Sequence, residues 1–193
     1  MREALAPPDT RGRIMRAAIG QCEEFGLRRT TMDDVARRAR LSRATLYRHY
    51  ESKDALVQAV IVAEAERFFD RLDVVLAETD RSDERLVEGF AFALHYVRRH
   101  QLLGKLLRTE PEALLPYLLG DSRLISIASE AVASRIPGDH EEVDADDARS
   151  AAELVVRLVL SLALSRDSAL GIDDAEGARR LARRYLVPGL HVR

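Results

Sequence analysis

Apolar side chains recur along this chain at intervals of three and four residues, the spacing of one face of an α-helix, and almost nowhere in strict alternation. Ile14, Ala18, Cys22 and Phe25 predict a first helix, with Thr10 as its cap and Gly26 as its stop. Leu56, Val60, Ala63, Phe68, Leu72 and Leu76 predict a long helix from Ser52 to about Glu78, and Leu86, Phe90, Ala93, Leu94 and Val97 mark the next. The middle of the chain is broken. An apolar piece covers Leu102 to Leu107, Pro111 opens a helix that Pro116 interrupts, and Gly120 punctuates before a helix over Ser122 to Ile136. Residues 137 to 147 read as an acidic loop and helix start. A helix from about Asp144 to Arg166 follows, apolar on most of its circumference in its second half, which therefore needs cover on more than one side. The last helix, about Asp173 to Val187, starts acidic and ends with Arg179, Arg180, Arg183 and Arg184, as the helix dipole favours; its stripe is Ala178, Leu181, Ala182 and Tyr185. The pattern predicts an all-α fold.

Between the first and the long helix lie two short ones. Thr31 caps the first, with Asp34 three residues on as a short stand-in for the Glu or Gln of a capping box, and Val35, Ala36 and Ala39 share its apolar face. Ser42 caps the second, over Arg43 to Tyr50, in which Ala44, Leu46 and Tyr50 offer packing while Arg43, Thr45, Tyr47, Arg48 and His49 stay available. Only Arg40, Leu41 and Ser42 join them, the proportions of a helix-turn-helix whose second helix enters the major groove. From Arg37 to Lys53 six cations face one acid, Glu51, a net of +5. Cations supply affinity for phosphates without sequence information; selectivity needs groups at base edges. Arg43 can bond guanine bidentately, and the methyls of Ala44 and Thr45 can meet a thymine methyl.

The run LSRATLYRHYESKDAL resembles the signature of the tetracycline-repressor (TetR) family, through Thr45-Leu46-Tyr47, His49-Tyr50 and Lys53 to Leu56, and the specific likeness covers about residues 11 to 60. The resemblance implies that Arg43, Thr45 and Tyr47 face bases or the adjacent backbone, that Tyr47, His49 and Lys53 hold phosphates, and that Thr31 reaches a phosphate from the preceding helix. In the turn, where the family commonly has Gly, this chain has Arg40, which must then adopt a left-handed conformation at a cost of about 1 kcal/mol.

Charge is distributed unevenly. The formal net charge of −2 divides into +4 over residues 1 to 60 and −6 over the rest, so only the N-terminal part is suited to a polyanion. The sole cysteine, Cys22, excludes an intrachain disulfide, which suits the cytoplasm, and its place on an apolar stripe marks a packed thiol. No uncharged run approaches the ~18 residues of a membrane span. Residues 1 to 10 lack the apolar core of a signal peptide.

Catalytic patterns are missing. No Glu has His three residues later, as a di-iron bundle needs, and the five His include no i, i+4 pair. There is no CxxC, GxSxG, GxGxxG or phosphate loop ending in GK[ST]. The expected protein is an all-α, non-enzymatic regulator without cofactor or metal: a flexible arm over 1–9, a three-helix DNA-binding domain over 10–52, and a helical ligand-sensing and dimerisation domain over 53–193. Family resemblance implies a repressor of a pseudo-palindromic double-stranded operator, released by a small effector; a ligand-independent regulator or activator, and a helical enzyme, are the alternatives.

Two expectations concern the C-terminal part. The helix through Leu154, Val155, Leu158, Val159 and Leu162 and the last helix, at Leu181 and Tyr185, pair with their symmetry mates in a four-helix homodimer interface. The resemblance further implies an effector cavity among the helices from Lys53 onward. Phe68, Phe69, Phe90, Phe92, Tyr96 and Tyr117 are its candidate aromatic walls, and His95, Arg99 or the stripe Glu153, Arg157 and Ser161 its polar anchors. The blander reading of Glu153 and Arg157 is a solvent-facing i, i+4 ion pair.

Overall fold

The computed structural model describes residues 9–79, 81–118, 123–135, 145–165 and 169–190, all helices and their connections, with no strand among them. Residues 1–8 of the expected arm over 1–9, the stop at Gly120, and residues 137–144 of the expected acidic segment over 137–147 lie outside the described residues. The chain divides into two compact units, Met1–Glu64 and Ala65–Arg193, with the boundary inside one continuous helix.

In the first unit α1 spans Thr10–Phe25, α2 Met32–Arg38 and α3 Arg43–His49, and α4, Lys53–Ala77, begins there. Asp9, not Thr10, caps α1: its carboxylate accepts from the Gly12 amide at 2.7 Å, so the residue expected to end a flexible arm starts the helix. Gly26 closes α1 at φ 87°, a conformation that its missing Cβ permits. Ile14, Ala17, Ala18 and Cys22 of α1 are buried with Val35 and Ala36 of α2, Ala39 at its C-terminal cap, and Leu46 and Tyr50 at α3. Phe25, expected on the same stripe, is the last residue of α1 and is 45% exposed. Ser52 caps α4 by accepting from the Ala55 amide at 3.1 Å.

The second unit is built around α5, Ser82–Arg99, whose Val87, Phe90, Ala91, Leu94 and Val97 are buried. Around it pack α6 (Gln101–Thr109), α9 (Ala145–Leu164) and α10 (Ala175–Leu181), while α7 (Pro111–Leu118) lies against α6 and α8 (Arg123–Ala133) against α9. Pro116 sits inside α7 and does not end it at that residue. His100 at the α5–α6 junction caps α6, its Nδ1 accepting from the Leu103 amide at 3.1 Å. Arg98 joins three segments by donating to the carbonyls of Leu162, Ser165 and Ile172.

The last helix is capped by Asp174 and runs through α10 into a π turn, Ala182–Leu186, and a final α11, Val187–Leu190. Pro188 has no amide to give the Arg184 carbonyl, and the widened turn, in which the Val187 amide reaches back to Ala182, accommodates its ring.

Candidate nucleic-acid interface

Both capping expectations are met, and they determine where α2 and α3 begin. Thr31 Oγ1 accepts from the Asp34 amide at 3.2 Å, and the Asp34 carboxylate accepts from the Thr31 amide at 3.3 Å and its hydroxyl at 2.6 Å, a full capping box made with Asp. That hydroxyl bond holds the Asp34 carboxyl below the usual carboxylate range. Ser42 Oγ accepts from the Thr45 amide at 3.1 Å and lies 2.8 Å from the Thr45 hydroxyl.

The turn between the helices carries the expected strain. Arg40 has φ 55°, the left-handed region, and is the one non-glycine residue with positive φ among those described. The compensation comes from α1: Arg13 Nη2 donates to the Ala39 carbonyl at 2.7 Å and the Arg40 carbonyl at 3.0 Å. A second cation holds the other turn of the unit. Lys53 Nζ donates to the Leu27 carbonyl at 2.7 Å and, more weakly, to that of Arg28 at 3.4 Å. Nothing in the spacing of Arg13 or Lys53 announced these bonds, since each crosses about 26 residues.

Most of the expected site residues are at the surface. Thr31, Ser42, Arg43, Ala44, Tyr47, Arg48 and His49 are exposed, and Thr45 and Lys53 are half-buried. Several cations of the +5 segment are locally paired: Arg37 with Asp34, Arg38 with Glu24 of α1, and Arg43 with Asp33. Arg40, Arg48 and His49 stand outside those pairs. Arg43 lies over the Tyr47 ring, its guanidinium carbon 5.3 Å from the centroid; hydrogen bonding to Tyr47, then the charge of Asp33, raise its pKa. An exposed helix N-terminus with a held guanidinium, two methyls and a phenol beside exposed cations has the parts needed for base contacts and for phosphate contacts.

In the second unit the expected residues separate. Phe68 meets Phe69, Phe92 and Tyr96 with ring centroids 5.0, 5.7 and 5.3 Å apart, and Tyr96 continues to His100 at 5.2 Å. Phe90, offered as a wall, is instead a core residue, 2% exposed. His95 and Arg99, offered as anchors, point to solvent, because they fall on the face of α5 opposite Phe90, Leu94 and Val97. Arg157 is exposed and bonded to Glu153 at 2.7 Å, the surface i, i+4 pair. The side chain of Tyr117 lies outside the described residues. Of the expected interface residues, Leu154 and Tyr185 are exposed, 70% and 61%, and Val155 and Leu158 half-buried. Leu162 and Leu181 are buried within the single chain, since they face α5 and its neighbours.

Comparison with known proteins gives these features a setting. Residues 14–60 match the family model for bacterial regulatory proteins, tetR family. An HTH-type transcriptional regulator of Mycobacterium tuberculosis strain H37Rv is 28% identical over 169 residues, 86% of this chain and 87% of its own. The HTH-type transcriptional regulator UidR of Escherichia coli K12 is 39% identical over 62 residues, 32% of each chain. Among solved structures, the TetR family repressor AlkX from Dietzia sp. strain DQ12-45-1b, implicated in biodegradation of n-alkanes, is similar at TM-score 0.70 and 25% identity, over 98% of this chain and 97% of that one.

Proposed function

The chain belongs to the TetR family of bacterial regulatory proteins and is a DNA-binding transcriptional regulator, and from that premise we propose a homodimeric, cytoplasmic, non-enzymatic repressor that a small apolar or amphipathic molecule releases from a pseudo-palindromic operator. The observation that carries the effector's chemistry is the aromatic group of α4 and α5. Phe68, Phe69, Phe92 and Tyr96 are in ring contact yet only half-buried, so apolar area beside them is left for a ligand to cover. The likeness to AlkX, implicated in biodegradation of n-alkanes, supports the same class of molecule. Exposed Leu154 on α9 and Tyr185 in the last helix support the dimer, since such side chains gain by burial against a second copy.

Release follows from linkage. A molecule that binds the DNA-incompetent arrangement more tightly weakens operator affinity by the ratio of its affinities for the two states. The test is to select operators from genomic fragments, then to screen alkanes, fatty acids, acyl thioesters and aromatic drugs for release of a labelled operator. Phe68→Ala and Tyr96→Ala are expected to abolish release while leaving operator affinity intact. Compounds that bind without changing operator affinity overturn the sensing mechanism.

A further inference from the structure

Asp33 is the residue of the interface that charge alone does not explain. It lies on the exposed side of α2, and its carboxylate is directed onto α3, with Oδ1 3.2 Å from Arg43 Nε and Oδ2 accepting from Arg43 Nη1 at 3.3 Å. The side chains are 67% exposed for Arg43 and 52% for Asp33. An ion pair so exposed adds little to stability, because it is screened by water and costs the arginine its rotamer freedom. An acid on a surface that phosphates approach also costs affinity. The other acid of α2, Asp34, is used in the capping box, which leaves Asp33 without that purpose.

What the pair does accomplish is to restrict Arg43. A guanidinium on a flexible stem at the start of α3 can swing to the nearest phosphate, which brings affinity without discrimination. With Asp33 against Nε and Nη1 on one side and the Tyr47 ring beneath, the group is oriented before DNA arrives. Its remaining donors then suit paired acceptors on a base edge, which guanine offers at O6 and N7. We propose that Asp33 is a specificity-determining positioning residue, which holds Arg43 for guanine and lowers affinity for DNA of any other sequence.

The inference rests on reading Arg43 as a base-contacting residue, and the experiment separates the two. Full-length protein is titrated against the selected operator, against the same operator substituted one base pair at a time, and against a scrambled duplex, over a range of salt. Arg43→Ala is expected to flatten the preference at one position. Asp33→Asn keeps the shape and removes the charge: it is expected to cut the preference for guanine at that same position about fivefold or more, to tighten binding to the scrambled duplex, and to steepen its salt slope by about one. In the Arg43→Ala background Asp33→Asn should cost no further discrimination, and with Arg43 present Asp33→Glu should keep part of the discrimination that Asp33→Asn loses. A loss of folding would lower affinity for both duplexes together, the opposite sign on scrambled DNA. If Arg43→Ala flattens the profile and Asp33→Asn only tightens binding to every duplex, Asp33 is a repulsive charge and the inference fails. If Arg43→Ala leaves the base profile unchanged, the reading of Arg43 fails and the inference with it.

Discussion

At the scale of single residues, the first unit depends on side chains that satisfy backbone groups at its turns. Arg40 is held left-handed, and Arg13 donates to its carbonyl and to that of Ala39. Arg13→Ala should cost about 1.5–3 kcal/mol, the net worth of charge-assisted bonds to carbonyls. Arg40→Gly should add about 0.5 kcal/mol, because relief of the Cβ crowding exceeds the freedom gained by the unfolded chain. Urea denaturation reads both, and equal midpoints for Arg13→Ala and the parent would refute the staple. Asp34 makes its own prediction. Its pKa is lower folded than unfolded, so the stability it contributes is present above the unfolded value of about 3.9 and is lost as pH falls through the folded value. Melting followed from pH 6 down to pH 3 should show the decline steepening below about pH 4, and Asp34→Asn should flatten that part of the curve. The caps at Thr31, Ser42 and Ser52 and the strained Arg40 were legible because each depends on residues within four positions. The partners of Arg13, Lys53 and Arg43 were not, because they are brought together only by folding.

At the scale of elements, α5 and α6 meet at a close approach that Gly104 permits. A Cβ there would lie 2.7 Å from the Arg98 carbonyl oxygen and 3.1 Å from that of Val97, and backbone cannot step aside as a flexible side chain would. Gly104→Ala is therefore expected to destabilise by about 1–3 kcal/mol despite the better helix propensity of alanine. Gly189→Ala, with nothing within 4 Å, should be neutral or slightly stabilising. Comparison of the two denaturation midpoints tests this, and similar values would refute the contact. Helix periodicity placed α1, α4, α5 and α9 to within a few residues, since burial on one face leaves a strong 3.6-residue signal. It did not reveal the π turn before Pro188, whose cause is the missing amide of one residue, nor that Pro116 lies within α7.

At the scale of the whole molecule, α9 and the last helix divide their apolar residues between the chain's own core and its surface. Val159, Leu162, Leu181 and Ala182 are buried, while Leu154 and Tyr185 are exposed. The parent is expected to sediment as a dimer at micromolar concentration and the double variant Leu154→Asp with Tyr185→Asp as a folded monomer, which should lose affinity for a two-half-site operator far more than for a half-site. An unchanged sedimentation coefficient would remove these two residues from the interface. The sequence by itself determined the all-α class, the helix-turn-helix and its caps, and the likeness of residues 14–60 to the tetR family, because those properties are written in short-range spacing and in one contiguous run of residues. Only the tertiary structure decided that Phe90, Leu162 and Leu181 turn inward, that His95 and Arg99 turn outward, and that Asp33 holds Arg43. The reason is physical: helical periodicity states that a residue lies on an apolar or a polar face, but which neighbour covers that face depends on how helices distant in sequence pack together.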